Sequence, residues 1–336
     1  MGSIVCATAE GLHDNAGCFA TNFSSLLRSS NAMAISHYLK DIARGKDGAR
    51  ALTRDQAADL MGQVLDGHAN DLQVGAFCIA MRVKGETAQE MAGFLDAVHA
   101  RLELLAASSK TLIVLPSYNG ARKLPVLTPL LALLLAQRGW PVLVHGHSTE
   151  ERRISSQAVL AALGVDALTK LDAIQPGQVA FAPTALLLPG LARLLDVRRT
   201  LGLRSSAHSV VKLMDPLSPV AGDSLVVSSY THPEFAISMA ETIALTGLDA
   251  LLLRGTEGEP VADPRRTPQM DAFQAGQRRR VQEAQEGPLA TLPQLPSSID
   301  AASTADYIRA VLAASLPVPA PIARQVEHIS QLAAKI

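Results

Sequence analysis

Two short aliphatic runs, Thr111–Leu115 and Val142–His145, flank a helix-length stretch that ends at Gly139. Strand, helix, strand in that order needs a crossover connection, and so a parallel sheet with helices on its faces. Three more runs, Val179–Ala182, Leu225–Ser228 and Ala250–Arg254, each lie beside a helical segment and extend the pattern. Residues 107–336 therefore read as an α/β domain with a mainly parallel central sheet. It closes with a Pro-rich loop over 286–298 and helices over 303–315 and 320–334.

Upstream the period changes. From Ile35 to Leu105 the reading is helical throughout, with Thr53 and Gln56, then Thr87 and Glu90, spaced as capping boxes. Asp71 is expected to cap a helix running through Val74, Phe77 and Ile79 to Met81. The result is a small all-helical domain over 33–106. Residues 1–32 are rich in Ser, Ala, Gly and Asn and have neither period. They are expected to be disordered, or a mis-assigned extension before a start at Met33, with an arm packed on the domain as the alternative.

Of 336 residues, 48% are hydrophobic and 18% charged, which suits ordered globular domains. A net charge of −1 gives the whole molecule no electrostatic case for nucleic acid or membrane, so any such case rests on local patches. The three cysteines, Cys6, Cys18 and Cys78, lack metal-ligand spacing and favour free thiols in a reducing compartment. The longest apolar run, Leu124–Leu135, is broken by Pro125 and Pro129 and falls short of the ~20 residues that span a bilayer. No secretory leader pattern opens the sequence, so the expected location is the cytoplasm, without membrane.

Residues 52–102, with the stretch GAFCIAMRVKGET at their centre, resemble the helical N-terminal domain of the glycosyltransferase family 3 proteins, among them anthranilate phosphoribosyltransferase and the pyrimidine nucleoside phosphorylases. VHGHSTEERRISSQAVLAALGV (144–165) and DVRRTLGLRS (196–205) resemble two further segments of anthranilate phosphoribosyltransferase. The resemblance implies a helical domain joined to an α/β domain, a cleft between them, and a homodimer made through the helical domain.

Departures from the pattern decide the functional expectation. The family's glycine-rich loop brings backbone N–H groups to a pyrophosphate. Here the corresponding residues read PSYNGARK, Pro116–Lys123, where only Gly120 remains and Pro116 removes a donor. Val144 stands where the family has a phosphate-facing lysine, and His147 where it has an asparagine. The acidic pair that holds magnesium in the family has no clear counterpart in RGTEGEPVADPRR (254–266). Glu257, Glu259 and Asp263 lie there and could substitute for that pair, with pairing to nearby arginines as the expected role.

PSYNGARK, SYTHPE (229–234) and LLLRGTEGEPVADPRR (251–266) resemble the YbiB-type branch of the family. That resemblance implies binding of DNA or RNA through a basic groove, and it puts Tyr118, Asn119, Gly120, Arg122, Lys123, Tyr230 and His232 at the cleft. The cations that could neutralise phosphates there are Arg122 and Lys123, Arg152 and Arg153, Arg198, Arg199 and Arg204, and Arg265 and Arg266. Tyr118 and Tyr230 could stack bases. Arg278, Arg279 and Arg280, followed by Glu283 and Glu286, read as ion-paired residues on a helix surface.

His145 and His147 flank Gly146 after a strand, where α/β folds place ligands. They could serve as acid and base or hold a metal, with a loop-ordering role as the plainer alternative. Arg198 matches the family arginine that contacts anthranilate, and could bind a small phosphorylated ligand or pair with Asp196. Two expectations follow. The first is a nucleic-acid-binding protein on a transferase scaffold with a degenerate phosphoribosyl-pyrophosphate site and no cofactor. The alternative is an active phosphoribosyltransferase of the anthranilate type, which would require Mg2+.

Overall fold

The computed structural model describes residues 35–45, 47–106, 108–217, 223–287 and 291–336. The expectation for residues 1–32 lies outside them, as do Cys6 and Cys18.

Four helices open the described chain: α1 (Ser36–Ile42), α2 (Arg54–Leu65), α3 (Asp71–Lys84) and α4 (Ala88–His99). Thr53 and Thr87 each close a reciprocal capping box with Gln56 and Glu90. The cap of α3 lies one residue earlier than Asp71: the Asn70 side chain accepts from the N–H of Gln73, whose own side chain returns the bond, and Asp71 is the first helical residue. Either side chain can cap, but only Asn70 stands three residues before a glutamine. Ile79 lies on the exposed outer face of α3 rather than with Phe77 and Met81 in the core. Gly93 lets α4 lie close against α2, since a Cβ there would meet the Arg54 carbonyl oxygen at 2.1 Å.

The α/β part runs β1 (Leu112–Ser117), α5 (Thr128–Gln137), β2 (Val142–Gly146), α6 (Ser156–Ala162), β3 (Val179–Pro183), α7 (Thr184–Leu187), α8 (Pro189–Leu201), α9 (Ala207–Val210), β4 (Ser224–Tyr230), α10 (Pro233–Thr246), β5 (Ala250–Arg254), β6 (Met270–Gln274), β7 (Gln277–Gln282), α11 (Ala301–Leu312) and α12 (Ala320–Ala333). One seven-stranded sheet has the order β3-β2-β1-β4-β5-β6-β7. Its first five strands are parallel, with Val114 beside Leu143 on one side and Val226 on the other. The last two strands are antiparallel.

Strand residues alternate between two hydrophobic clusters, as the pleat requires. Leu112, Val114, Leu143, Val226 and Leu252 join the helical domain, α8 and α10. Ile113, Leu115, Val144, Val227 and Leu253 join α5, α11 and α12. The helical domain thus shares a continuous core with one face of the sheet. Gly190 brings α8 against the end of α2, where a Cβ would meet the Leu65 carbonyl oxygen at 2.3 Å. No helix among the described residues is long and apolar enough to cross a membrane.

The hairpin β6–β7 corrects one expectation. Arg278, Arg279 and Arg280 lie on an edge strand, not on a helix. Arg278 and Arg280 grip the buried Asp271 across the hairpin at 2.8 and 2.6 Å, and Arg280 also meets Glu283 at 2.7 Å. Burial pushes the Asp271 carboxyl up, and these arginines outweigh it and hold the group below the usual carboxylate range.

Candidate functional site

The chain moves outward from β1 to β2 and β3, then returns to lay β4 on the opposite side of β1. The switch point is therefore between β1 and β4, and in open α/β sheets ligands sit beyond the strand ends at such a point. The loops leaving β1, β2, β4 and β5 all converge there.

The loop after β1 is built around an acceptor that sequence reasoning misjudged. Glu259, 2% exposed, pairs with no arginine among the described residues. Its Oε1 accepts the backbone N–H groups of Asn119 and Gly120, both at 2.8 Å. Its Oε2 accepts from the hydroxyls of Ser117, Thr128 at 2.9 Å and Ser156 at 3.5 Å. Glu257 likewise takes the backbone N–H groups of Arg122 and Lys123, at 2.7 and 3.0 Å. Only Asp263 pairs as expected, with Arg265 at 2.9 Å. Glu257 and Glu259 thus face hydrogen-bond donors, which does not suit a magnesium ion. Among the described residues no three His, Cys, Asp or Glu side chains come together in a way that could hold a metal.

Six of the expected site residues line one pocket: Tyr118, Asn119, Gly120, His147, Arg153 and Arg198. The pocket is small and partly open to solvent, with about 20 Å³ accessible to water. Arg153 and Arg198 share a single carboxylate, that of Glu150, and Arg198 also donates to the Thr149 hydroxyl at 3.1 Å. Asp196 does not serve Arg198. It accepts from His147 at 2.9 Å and from Arg199 at 3.0 Å.

Tyr118 lines the pocket but is largely buried behind it, and His145 does not line it. Tyr118 is 6% exposed, and its hydroxyl lies 2.7 Å from His145 Nδ1 and 2.9 Å from Thr184 Oγ1. No base can reach its ring, and burial pushes its hydroxyl pKa up. His145 lies inside β2 rather than after it, fully buried, and burial drives its pKa down to about 3. It stays neutral at ordinary pH and bridges strand to core. The apolar alternation of β2 carries the signal that would have shown this: His145 follows Val144 into the opposite face of a buried strand.

Tyr230 and His232 sit at the end of β4 and the start of α10. Tyr230 is half-buried, its pKa raised by burial and then by Asp271, with Arg254, Arg280 and Arg278 also close enough to act on it. His232 is exposed, 6.4 Å from the Phe235 ring. The Arg122 and Lys123 side chains are exposed at the mouth of the β1 loop.

Several residues of the site stand out only in three dimensions. Arg204 has no ion-pair partner among the described residues. Burial lowers its pKa to about 10, and the neighbouring cations Arg198, Arg153 and Arg82 push the same way against Glu259. Arg82 comes from the end of α3, so the cluster spans both domains. His208 lies behind it, its Nε2 buried without a hydrogen-bond partner; burial and then Arg204 and Arg198 lower its pKa to about 3. Lys212 is buried and donates to the carbonyls of Ser229 and Gly258, both at 2.9 Å. Its pKa falls to about 8, through burial first and Arg204 second. The segment LGLRS carried the sequence signal for Arg204, but nothing local marks Lys212, which reaches the site only through the packing of α9 under β4.

The helical bundle domain of the glycosyl transferase family matches residues 36–101. YbiB of Escherichia coli (strain K12) is 39% identical over 290 residues, covering 84% of this chain and 88% of that protein. Anthranilate phosphoribosyltransferase of Leifsonia xyli subsp. xyli is 30% identical over 202 residues, covering 59% of this chain and 57% of its own. The crystal structure of anthranilate phosphoribosyltransferase from Thermus thermophilus superposes with a TM-score of 0.65 at 22% identity, over 86% of this chain and 85% of that one. The Saccharomyces cerevisiae enzyme in complex with PRPP and Mg superposes with a TM-score of 0.64 at 14% identity, over 90% and 89%. The chain belongs to one family with YbiB of Escherichia coli, carries the helical bundle domain of the glycosyl transferase family over residues 36–101, and shares the fold of the anthranilate phosphoribosyltransferases.

Proposed function

We propose that this protein binds single-stranded DNA or RNA along the cleft between its two domains, and that it has lost the phosphoribosyl-pyrophosphate site of its transferase relatives. The observation that carries the reading is the surplus of positive charge at the switch point. Arg82, Arg122, Lys123, Arg152, Arg204 and Arg254 have no ion-pair partner among the described residues, and Arg153 and Arg198 divide one carboxylate. Burial first, and then the neighbouring cations Arg198, Arg153 and Arg82, lower the pKa of Arg204, and an anion placed among them offsets that mutual repulsion. A phosphate backbone supplies anions at regular intervals along a groove and releases its counterions on binding. Half-buried Tyr230 offers a ring for a base; Tyr118 does not.

Lining donors of the β1 loop are already engaged by Glu257 and Glu259, which supports loss of the pyrophosphate site and of the need for Mg2+. The alternative reading, an active anthranilate-type phosphoribosyltransferase, draws on the relatives of that name and on Arg198 at the pocket wall. It needs a pyrophosphate leaving group stabilised by backbone dipoles and a metal, and the N–H groups of the β1 loop that could supply those dipoles already serve carboxylates. The same reading has the protein in the cytoplasm as a homodimer. The outer face of α3, with Leu72 86%, Ile79 39% and Val83 63% exposed, is the surface that supports it.

Fluorescence anisotropy with a labelled oligonucleotide tests the groove. Arg204→Glu is expected to weaken binding at least about tenfold, because it reverses a cation in the centre of the cluster. Arg138→Glu, in the turn between α5 and β2 at the opposite end of the strands, should leave affinity within about twofold. Equal affinities for the two variants would place the binding elsewhere, and formation of phosphoribosyl anthranilate by the purified protein would revive the transferase reading.

A further inference from the structure

We propose that Glu259 is the resident anion of an oxyanion cradle, and that removing its side chain opens a site for phosphate or one end of a pyrophosphate. The inference rests on the reading that the native β1 loop takes no such ligand, and goes beyond it by naming the residue responsible.

A carboxylate buried to this degree is costly unless every lone pair meets a donor. Glu259 meets five donors drawn from four parts of the chain: the Ser117 hydroxyl ending β1, the Asn119 and Gly120 N–H groups beyond it, the Thr128 hydroxyl opening α5, and the Ser156 hydroxyl of α6. Neutral N–H and O–H groups converging on one point form the donor set that proteins use for tetrahedral oxyanions. Carboxylate and phosphate oxygens accept such bonds alike. The cationic field is also in place, since Lys212 and Arg204 both feel the Glu259 charge.

The carboxylate is held there by a fastened strap. Lys212 binds the Gly258 carbonyl, the Glu257 carboxylate caps two N–H groups of the β1 loop, and Asn119 Nδ2 donates to the Glu257 carbonyl at 2.8 Å. Glu257 adopts φ +52, a left-handed conformation that a non-glycine residue rarely takes without support. Gly258, at φ +88, has no room for a side chain: a Cβ would lie 1.6 Å from Asn119 Nδ2. Ser117, Asn119, Gly120 and Ser156 also line the pocket that Arg153 and Arg198 enter, a pocket with about 20 Å³ accessible to water. Truncating Glu259 joins the donors to these arginines in one cavity.

The test compares the full-length wild type with Glu259→Ala by thermal unfolding and titration calorimetry, using inorganic phosphate and inorganic pyrophosphate against chloride at matched ionic strength. Wild type carries the same arginines and sets the baseline for whatever phosphate or pyrophosphate they bind. Glu259→Ala is expected to unfold at lower temperature in chloride, and to regain stability saturably with phosphate or pyrophosphate. A folded Glu259→Ala that responds to these anions no more than wild type overturns the inference and leaves the nucleic-acid reading intact. Pyrophosphate binding to wild type at least as tight as to the variant overturns both the inference and the lost-site reading. Should Glu259→Ala fail to fold in chloride, recovery of folded protein in phosphate supports the proposal, and failure in every anion contradicts it.

Discussion

At Gly258 a φ of +88 and the Asn119 side-chain amide, packed where a Cβ would lie, favour glycine in the turn that carries Glu259 to the cradle. Single side chains set the chemistry of this site, and burial sets theirs. His145 has a pKa near 3 in the folded protein against an ordinary 6.5, because the strand interior disfavours the imidazolium. As pH falls below 6.5 the unfolded chain takes up a proton that the folded one refuses, so stability falls until about pH 3. His145 alone costs about 3 kcal/mol by roughly pH 4.5. Urea denaturation should show wild type losing more stability between neutral and acid pH than His145→Gln does; parallel losses would mean the burial of His145 is not what makes the protein acid-sensitive. These roles were the least legible part of the sequence. Tyr118 looks like a polar residue at a loop, and only its neighbours His145 and Thr184 make it core; for His145 the one local sign is its place in the apolar run of β2. Glu259 lies 140 residues from the N–H group it receives from Asn119, a separation over which no local pattern acts.

Elements were read more reliably, because their causes are local. Two capping boxes and the parallel strands β1 to β5 follow from spacing and from short aliphatic runs bounded by glycine or proline, and they appear where those cues lie. Strand β7 gave no such cue: QRRRVQ lacks apolar alternation, since it is an edge strand whose charges discourage further pairing and reach back to Asp271. Helix α3 illustrates the reverse case. Phe77, Cys78 and Met81 face the core, and burial raises the Cys78 thiol to about 11, so the thiol is inert. Leu72, Ile79 and Val83 face outward, an apolar stripe on a surface helix that the proposed dimer would cover. Sedimentation velocity is expected to find a dimer for wild type and a monomer for Ile79→Glu, with the fold unchanged by circular dichroism. A wild-type monomer, or a dimer indifferent to Ile79→Glu, would remove α3 as the interface.

For the whole molecule, a net charge of −1 hides an uneven distribution. Acidic residues are spent within the fold, on N–H groups, hydroxyls and the Asp271 hairpin, while arginines from α3, the β2–α6 loop, α8 and the segment after it meet at the switch point. The resemblance of three sequence segments to a transferase family located that point; which cations meet there, and which carboxylates fail to neutralise them, depended on the packing of the helical domain against the sheet. The most direct test of the central claim is titration of the wild-type protein with labelled single-stranded DNA at two salt concentrations. Four phosphate contacts on a single strand give a slope of about −3 in log affinity against log salt, so a fourfold rise in salt should weaken binding roughly fifty-fold. Submicromolar binding at low salt with that steep loss is the predicted result; no binding at low salt, or binding indifferent to salt, would contradict a cationic groove built for phosphates.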